Sequence, residues 1–248
     1  MQWDFLWAWV LVAAALLYSH HLSLGVERPL LIASLVAFVQ LLMLGFALTF
    51  LFALEHPLTF LGVFLGMSLF GAWTAHKRVD LGAKSLPIAF GSLALASALV
   101  AIVLLAVGVI QPVASQVIPI LGMIVGNALN IYTLAIDRIL TQLRLSRAGI
   151  EGRLALGAST AQALQDDLKE AAKAGLIPIM NNLKTVGIVW IPGITVGMLL
   201  AGADPLTAVS YQLAIMYMMV GVSLFTLIFA FYLGRNRFIP VAFAKESS

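Results

Sequence analysis

Residues 86–110 read LPIAFGSLALASALVAIVLLAVGVI, twenty-five positions without a charge, set between Lys84 and the pair Gln111-Pro112. A hydrocarbon core about 30 Å thick is crossed by roughly 20 helical residues, so this run is long and apolar enough to span a bilayer. Six further runs of the same kind follow on either side, at about 3–18, 30–54, 58–74, 113–136, 186–203 and 208–233. The expected fold is therefore all-α: a polytopic transmembrane helical bundle of about seven spans. Breakers part the runs where this reading requires them, at Pro29, at Glu55-His56-Pro57 and at Gln111-Pro112. Connections this short make the joined helices antiparallel neighbours.

Composition agrees. Of 248 residues 62% are apolar and 10% charged, and the mean hydropathy is +1.03. About a quarter of an ordinary soluble domain is charged. The net charge of +3 would suit nucleic acid in a soluble chain, but the cations here occupy short gaps between apolar runs, a pattern of membrane orientation. The lipid bilayer is the expected surrounding, and no nucleic-acid partner is expected. Cysteine is absent, which removes disulfides and thiolate metal sites. Met1–Asp4 carries no Lys or Arg ahead of the first apolar run, so that run is expected to stay as a spanning helix and not to act as a cleaved signal.

Sidedness follows from the cations. With the gap after the fifth run placed in the cytoplasm, all 14 Lys and Arg fall inside, from Arg28 through Lys77, Arg78 and Lys84 to Arg235, Arg237 and Lys245. Asp4, Glu55 and Asp204 remain outside. The positive-inside rule then sets the N-terminus outside and the C-terminus in the cytoplasm. The whole chain, 1–248, reads as one transmembrane domain with a cytoplasmic excursion at about 137–185.

That excursion has local signals of its own. Residues 137–153 continue the fifth run as a cytoplasmic extension. Gly157 suits a left-handed C-terminal cap, and Ser159 followed by Gln162 forms a capping box. A second helix is expected from Thr160 to about Ala174, stopped by Gly175 and Pro178, with Leu164, Leu168 and Ala171 or Ala172 as its apolar stripe. Amphipathicity alone leaves two readings open: a helix lying on the headgroups, or one that docks into a partner and transmits force.

Several stretches resemble a known family. Glu151-Gly-Arg-Leu-Ala-Leu-Gly157-Ala158-Ser159 is similar to the cytoplasmic Glu-Ala-Ala-x-x-x-Gly motif of ABC permeases, with Gly152 and Arg153 in place of its alanines. A fuller resemblance is to the FetB family of iron export permeases, related to plant permeases of aluminium tolerance. It rests on Gln116-Val-Ile-Pro119-Ile-Leu-Gly122-Met-Ile-Val-Gly126-Asn127, Ala174-Gly-Leu-Ile-Pro178, Lys184-Thr-Val-Gly187, Pro192-Gly193, Ala201-Gly202-Ala-Asp204-Pro205 and Tyr211-Gln212. The resemblance implies the permease subunit of an ABC transporter in a bacterial inner membrane, a homodimer joined to a separate cytoplasmic ABC ATPase. It implies a coupling surface around Glu151, Gly157, Ala158, Ser159, Gln162, Leu164 and Leu168. No Gly-x-x-x-x-Gly-Lys-[Ser/Thr] phosphate loop occurs in the sequence. No cofactor is therefore expected in this chain, and ATP with Mg belongs to the partner.

Polar side chains inside apolar runs mark candidate transport paths, because they are costly in hydrocarbon. On a helix Gln116, Met123, Asn127 and Asn130 share one face; they read either as interhelical glue or as a path lining. Asn181, Asn182 and Lys184 are expected at the cytoplasmic mouth of the sixth run, Lys184 snorkelling to the interface. Met216, Met218 and Met219 read as packing. The four histidines, His20, His21, His56 and His76, fall at helix ends on both sides and form no single site; the residues name no metal set. A self-sufficient ion-coupled transporter is the alternative function and an intramembrane enzyme a third, but both need ionisable groups at membrane depth.

Overall fold

The computed structural model describes residues 7, 9–52 and 56–244. Among them the chain is helical throughout, the one β-type pairing being an isolated bridge between Val186 and Trp190. The helices are α1 (Trp9–His21), α2 (Glu27–Leu51), α3 (Pro57–Arg78), α4 (Ser85–Ala106), α5 (Ala114–Leu145), α6 (Arg147–Ala155), α7 (Thr160–Thr185), α8 (Gly193–Leu200) and α9 (Pro205–Ala244). Five of these, α2, α3, α4, α5 and α9, are long and apolar enough to cross a membrane. The all-α polytopic reading is met.

The chain divides into two compact units, residues 1–55 and 56–248. In the first, α1 and α2 form a hairpin closed by a hydrogen bond from Ser19 Oγ to Glu27 Oε1, 2.7 Å. Part of the expected first span, at residues 3–6 and 8, lies outside the described residues, as do Asp4, Glu55 and Lys245.

In the second unit α5 is the hub, packing against α3, α4, α7 and α9. Its inward residues Val117, Leu121, Ile124, Ala128, Tyr132, Ala135, Ile139 and Leu143 recur at three to four positions and are buried. Turn chemistry sets the helix starts. His56 Nδ1 accepts from Leu58 N–H at 3.2 Å to open α3, and Asp80 Oδ1 accepts from Gly82 N–H at 2.8 Å ahead of α4. Small residues let helices close up: a Cβ on Gly91 would stand 3.0 Å from Leu233 across the α4–α9 seam.

Contacts among α5, α7 and α9 give their register. Asn127 meets Ser223, and Arg144 meets Ala242, so α5 and α9 run parallel. Gln142 meets Asp167 and Glu170, and a Cβ on Gly175 would stand 3.5 Å from Ala135, so α7 runs antiparallel to α5. A parallel α5 and α9 require the chain between them to return across the membrane.

That return differs from expectation in two ways. The helix expected to stop at about Ala174 continues through Gly175 and Pro178 to Thr185, making one rod of 26 residues. Gly175 packs against Ala135, where a Cβ would stand 3.5 Å away in ordinary contact, and membrane helices accept proline where neighbours supply the freed groups. The expected sixth span, 186–203, is not one helix. It begins with a turn at Val186–Trp190, in which Gly187 adopts φ +81°, and resumes only as the eight-residue α8 after Pro192. A left-handed glycine and a proline five positions apart interrupt the helix although the hydropathy is unbroken. A smaller correction concerns residues 137–153: α5 ends at Leu145, and α6 starts afresh after Ser146.

Candidate transport path and coupling face

Of the four residues expected on one polar face of α5, two are engaged in structure. Gln116 Oε1 accepts from Gln111 N–H at 2.9 Å and closes the α4–α5 turn. Asn127 Nδ2 donates to Ser223 Oγ at 3.0 Å and to Met219 O at 3.3 Å, tying α5 to α9. Met123 is half-buried against the core, and Asn130 is exposed. Met216 and Met218 are buried, and Met219 packs partly buried beside them.

The break between α7 and α8 is the other polar region. Beyond Gly175, which faces Ala135, α7 runs ten more residues to Thr185 and comes level with roughly residue 125 of α5. Residues 114–136 of α5 carry no charge, so α7 ends near the middle of the apolar zone. Asn181, Asn182 and Lys184 are exposed there, on the level of Asn127 and Asn130 and not at the membrane surface. The turn is held by Gly187 N–H to Trp190 O, 2.9 Å, and by Trp190 Nε1–H to Thr185 Oγ1, 3.2 Å. Ile188 is 89% exposed. Non-helical backbone at membrane depth persists only where protein covers it or water reaches it.

Sequence reasoning missed a set of buried hydroxyls. Ser68, Ser97, Thr195 and Thr226 and the Tyr132 phenol are buried with no hydrogen-bond partner, as is Gln212 Oε1. Ser68, Ser97, Thr195 and Thr226 each stand as a lone hydroxyl between apolar neighbours, a signal too weak to stand out before the helices are packed.

The end at which α6 meets α7 is tied by charge. Arg153 Nη2 donates to Asp167 Oδ2 at 2.7 Å, and Asp167 is only 6% exposed. Gln142 Nε2 reaches Ser146 Oγ and Glu170 Oε2, both at 3.3 Å. Arg153 occupies one of the positions at which the ABC motif carries alanine, so the departure from the motif supplies the clamp between α6 and α7. Glu151 pairs with Arg147 at 2.8 Å on the surface. Gly157 has φ +90°, and the Ser159–Gln162 capping box is formed on both arms. Ala158 is partly buried against the core. Leu164 is buried, Leu168 is partly buried, and both face inward. The outward surface is the α6–α7 turn, where Leu156 is 90% exposed; Leu145, at the end of α5, is 79% exposed.

Among the described residues no group of three or more His, Asp or Glu converges as a metal site. The family model described as Uncharacterised protein family (UPF0014) matches residues 2–239. The chain belongs to the UPF0014 family. It is 32% identical to the "Probable iron export permease protein FetB" of Escherichia coli over 93% of this chain and 89% of that one. It is 35% identical to the "UPF0014 membrane protein YjkA" of Bacillus subtilis, over 84% and 83%. With "Protein ALUMINUM SENSITIVE 3" of Arabidopsis thaliana it shares 31% over 96% and 86%. No solved structure matches. This UPF0014 protein is thus a multi-pass, all-α membrane protein whose named relatives include a permease.

Proposed function

We propose that this UPF0014 protein is the permease subunit of an ABC transporter, working as a homodimer with a separate cytoplasmic ATPase, and that it exports iron. The observation that carries the transport mechanism is α7. One uninterrupted helix joins the cytoplasmic α6–α7 turn to the mid-membrane break, about 39 Å at 1.5 Å per residue. A push on the turn is transmitted along this rod to Asn181, Asn182 and Lys184. The ATPase would engage the exposed Leu156, framed by Glu151, Gly157, Ala158 and Ser159, while Leu164 and Leu168 anchor the rod to α5 and α9. Iron as cargo is supported by the name of the Escherichia coli relative.

Two measurements test this reading. Leu156→Asp should abolish co-purification with the cognate ATPase while the permease still inserts and folds. Cells lacking the chain should accumulate iron under iron load; unchanged iron with altered sensitivity to another solute would redirect the cargo. The depth of Lys184 favours one alternative, an ion-coupled secondary transporter, since an ionisable group at membrane depth is what such a protein needs. Transport by the purified chain alone in liposomes, without ATPase, would select that alternative.

A further inference from the structure

Between α7 and α9 runs an open groove of about 780 Å³. α7 climbs from the α6–α7 turn while α9 descends toward it, so Ile228 and Phe231 of α9 line the deep end, above Ala172, the deepest lining residue of α7. Lys169, Arg235 and Asn236 come next, and Leu168, Gln165 and Thr160 follow toward the α6–α7 turn. No lining residue is acidic.

The depth of the two cations is informative. From the contacts of Arg144 with Ala242 and of Gln142 with Glu170, Arg235 comes level with roughly residue 138 of α5 and Lys169 with roughly residue 141. There α5 acquires its first charges, Asp137 and Arg138, which marks the headgroup layer. Arg235 lies over the Tyr232 ring, 4.9 Å from its centroid, and interfacial tyrosine is itself characteristic of that layer. Ile228, 56% exposed, opens the deep end to the acyl region.

We propose that this groove holds an anionic phospholipid of the cytoplasmic leaflet, with one acyl chain along Phe231 and Ile228 and its phosphate between Arg235 and Lys169. The charge complementarity selects an anionic headgroup, and the apolar deep end at Phe231 and Ile228 beside the two cations selects an amphiphile over a protein segment or a free anion. The bound lipid braces α7 against α9. The groove shares Ser159 with the proposed ATPase surface but does not include Leu156, and the inference does not depend on the cargo.

The test uses the full chain in detergent, exchanged against mixed phosphatidylglycerol and phosphatidylcholine of equal chain length, with retained lipid counted by native mass spectrometry. Phosphatidylglycerol should be retained preferentially. Each juxtamembrane cation near an anionic lipid contributes about a fivefold preference, so the double variant Arg235→Gln with Lys169→Gln should lose about thirtyfold. Lys173→Gln, an exposed cation outside the groove lining, should lose nothing. The charge-keeping pair Arg235→Lys with Lys169→Arg should retain the lipid, and Ile228→Trp, filling the deep end, should expel it. Glycerol phosphate at millimolar concentration should not compete. Equal retention of both lipids, loss with Lys173→Gln as large as with the double variant, displacement by glycerol phosphate, or a crosslink from position 165 to the ATPase that excludes lipid would overturn the proposal.

Discussion

Replacing Arg153 by methionine keeps most of the stem's packing volume and removes the guanidinium that lies 2.7 Å from Asp167. The carboxylate left behind is 6% exposed and keeps only a 3.5 Å contact from Gln142. Stripping one partner from a fully buried pair costs about 3–5 kcal/mol. The Arg153 side chain is 35% exposed, and surface pairs contribute about 0–1 kcal/mol, so the cost here is about 2 kcal/mol. It falls on the α6–α7 junction alone, where it raises the open population about thirtyfold. Hydrogen exchange followed by mass spectrometry on peptides covering residues 147–165 reads this as a thirtyfold loss of protection, with α3 and α4 unchanged. Combining Arg153→Met with Asp167→Leu should restore protection to within about 1 kcal/mol of the parent, because no uncompensated charge remains. Glu151→Gln, at an exposed pair, should cost about 0.5 kcal/mol or less. If Arg153→Met behaves like Glu151→Gln, or the double variant opens as far as the single, the clamp reasoning is refuted.

Asn127→Leu should lower the melting stability of the bundle by about 1 kcal/mol through loss of the α5–α9 hydrogen bond, whereas Asn130→Leu should leave stability intact and reduce transport if that exposed face is part of the path. Gly187→Ala should cost about 1–2 kcal/mol, since φ +81° is a left-handed position; an unchanged melting temperature would count against the turn. Because the sequence has no cysteine, Ile188→Cys gives a single thiol at the mid-membrane break. A membrane-impermeant maleimide should label it if water reaches the turn, and failure to label in both resting and ATP-driven states would exclude an aqueous path there.

Local features of the candidate site were legible in the residues. The left-handed Gly157 and the Ser159–Gln162 box depend on chemistry within four positions, and both formed as read. Features that depend on a neighbour were not. Gly175 and Pro178 look like terminators in a single strand of text, yet the helix passes through both, with Gly175 packed against Ala135 of α5. Arg153 and Asp167, fourteen positions apart, carry no mutual signal until the α6–α7 turn folds them together.

Hydrophobic length and the placement of cations determined, without coordinates, that this chain is a helical membrane protein, because hydrocarbon admits only backbones that satisfy their own hydrogen bonds over a fixed thickness. Packing decided the rest: that α7 is a single rod ending in mid-membrane, that the return crossing is broken, and that Asn127 is a tie while Asn130 is exposed. Those outcomes turn on which surfaces meet, and a side chain's depth and partners are properties of the assembled bundle and not of its place in the chain.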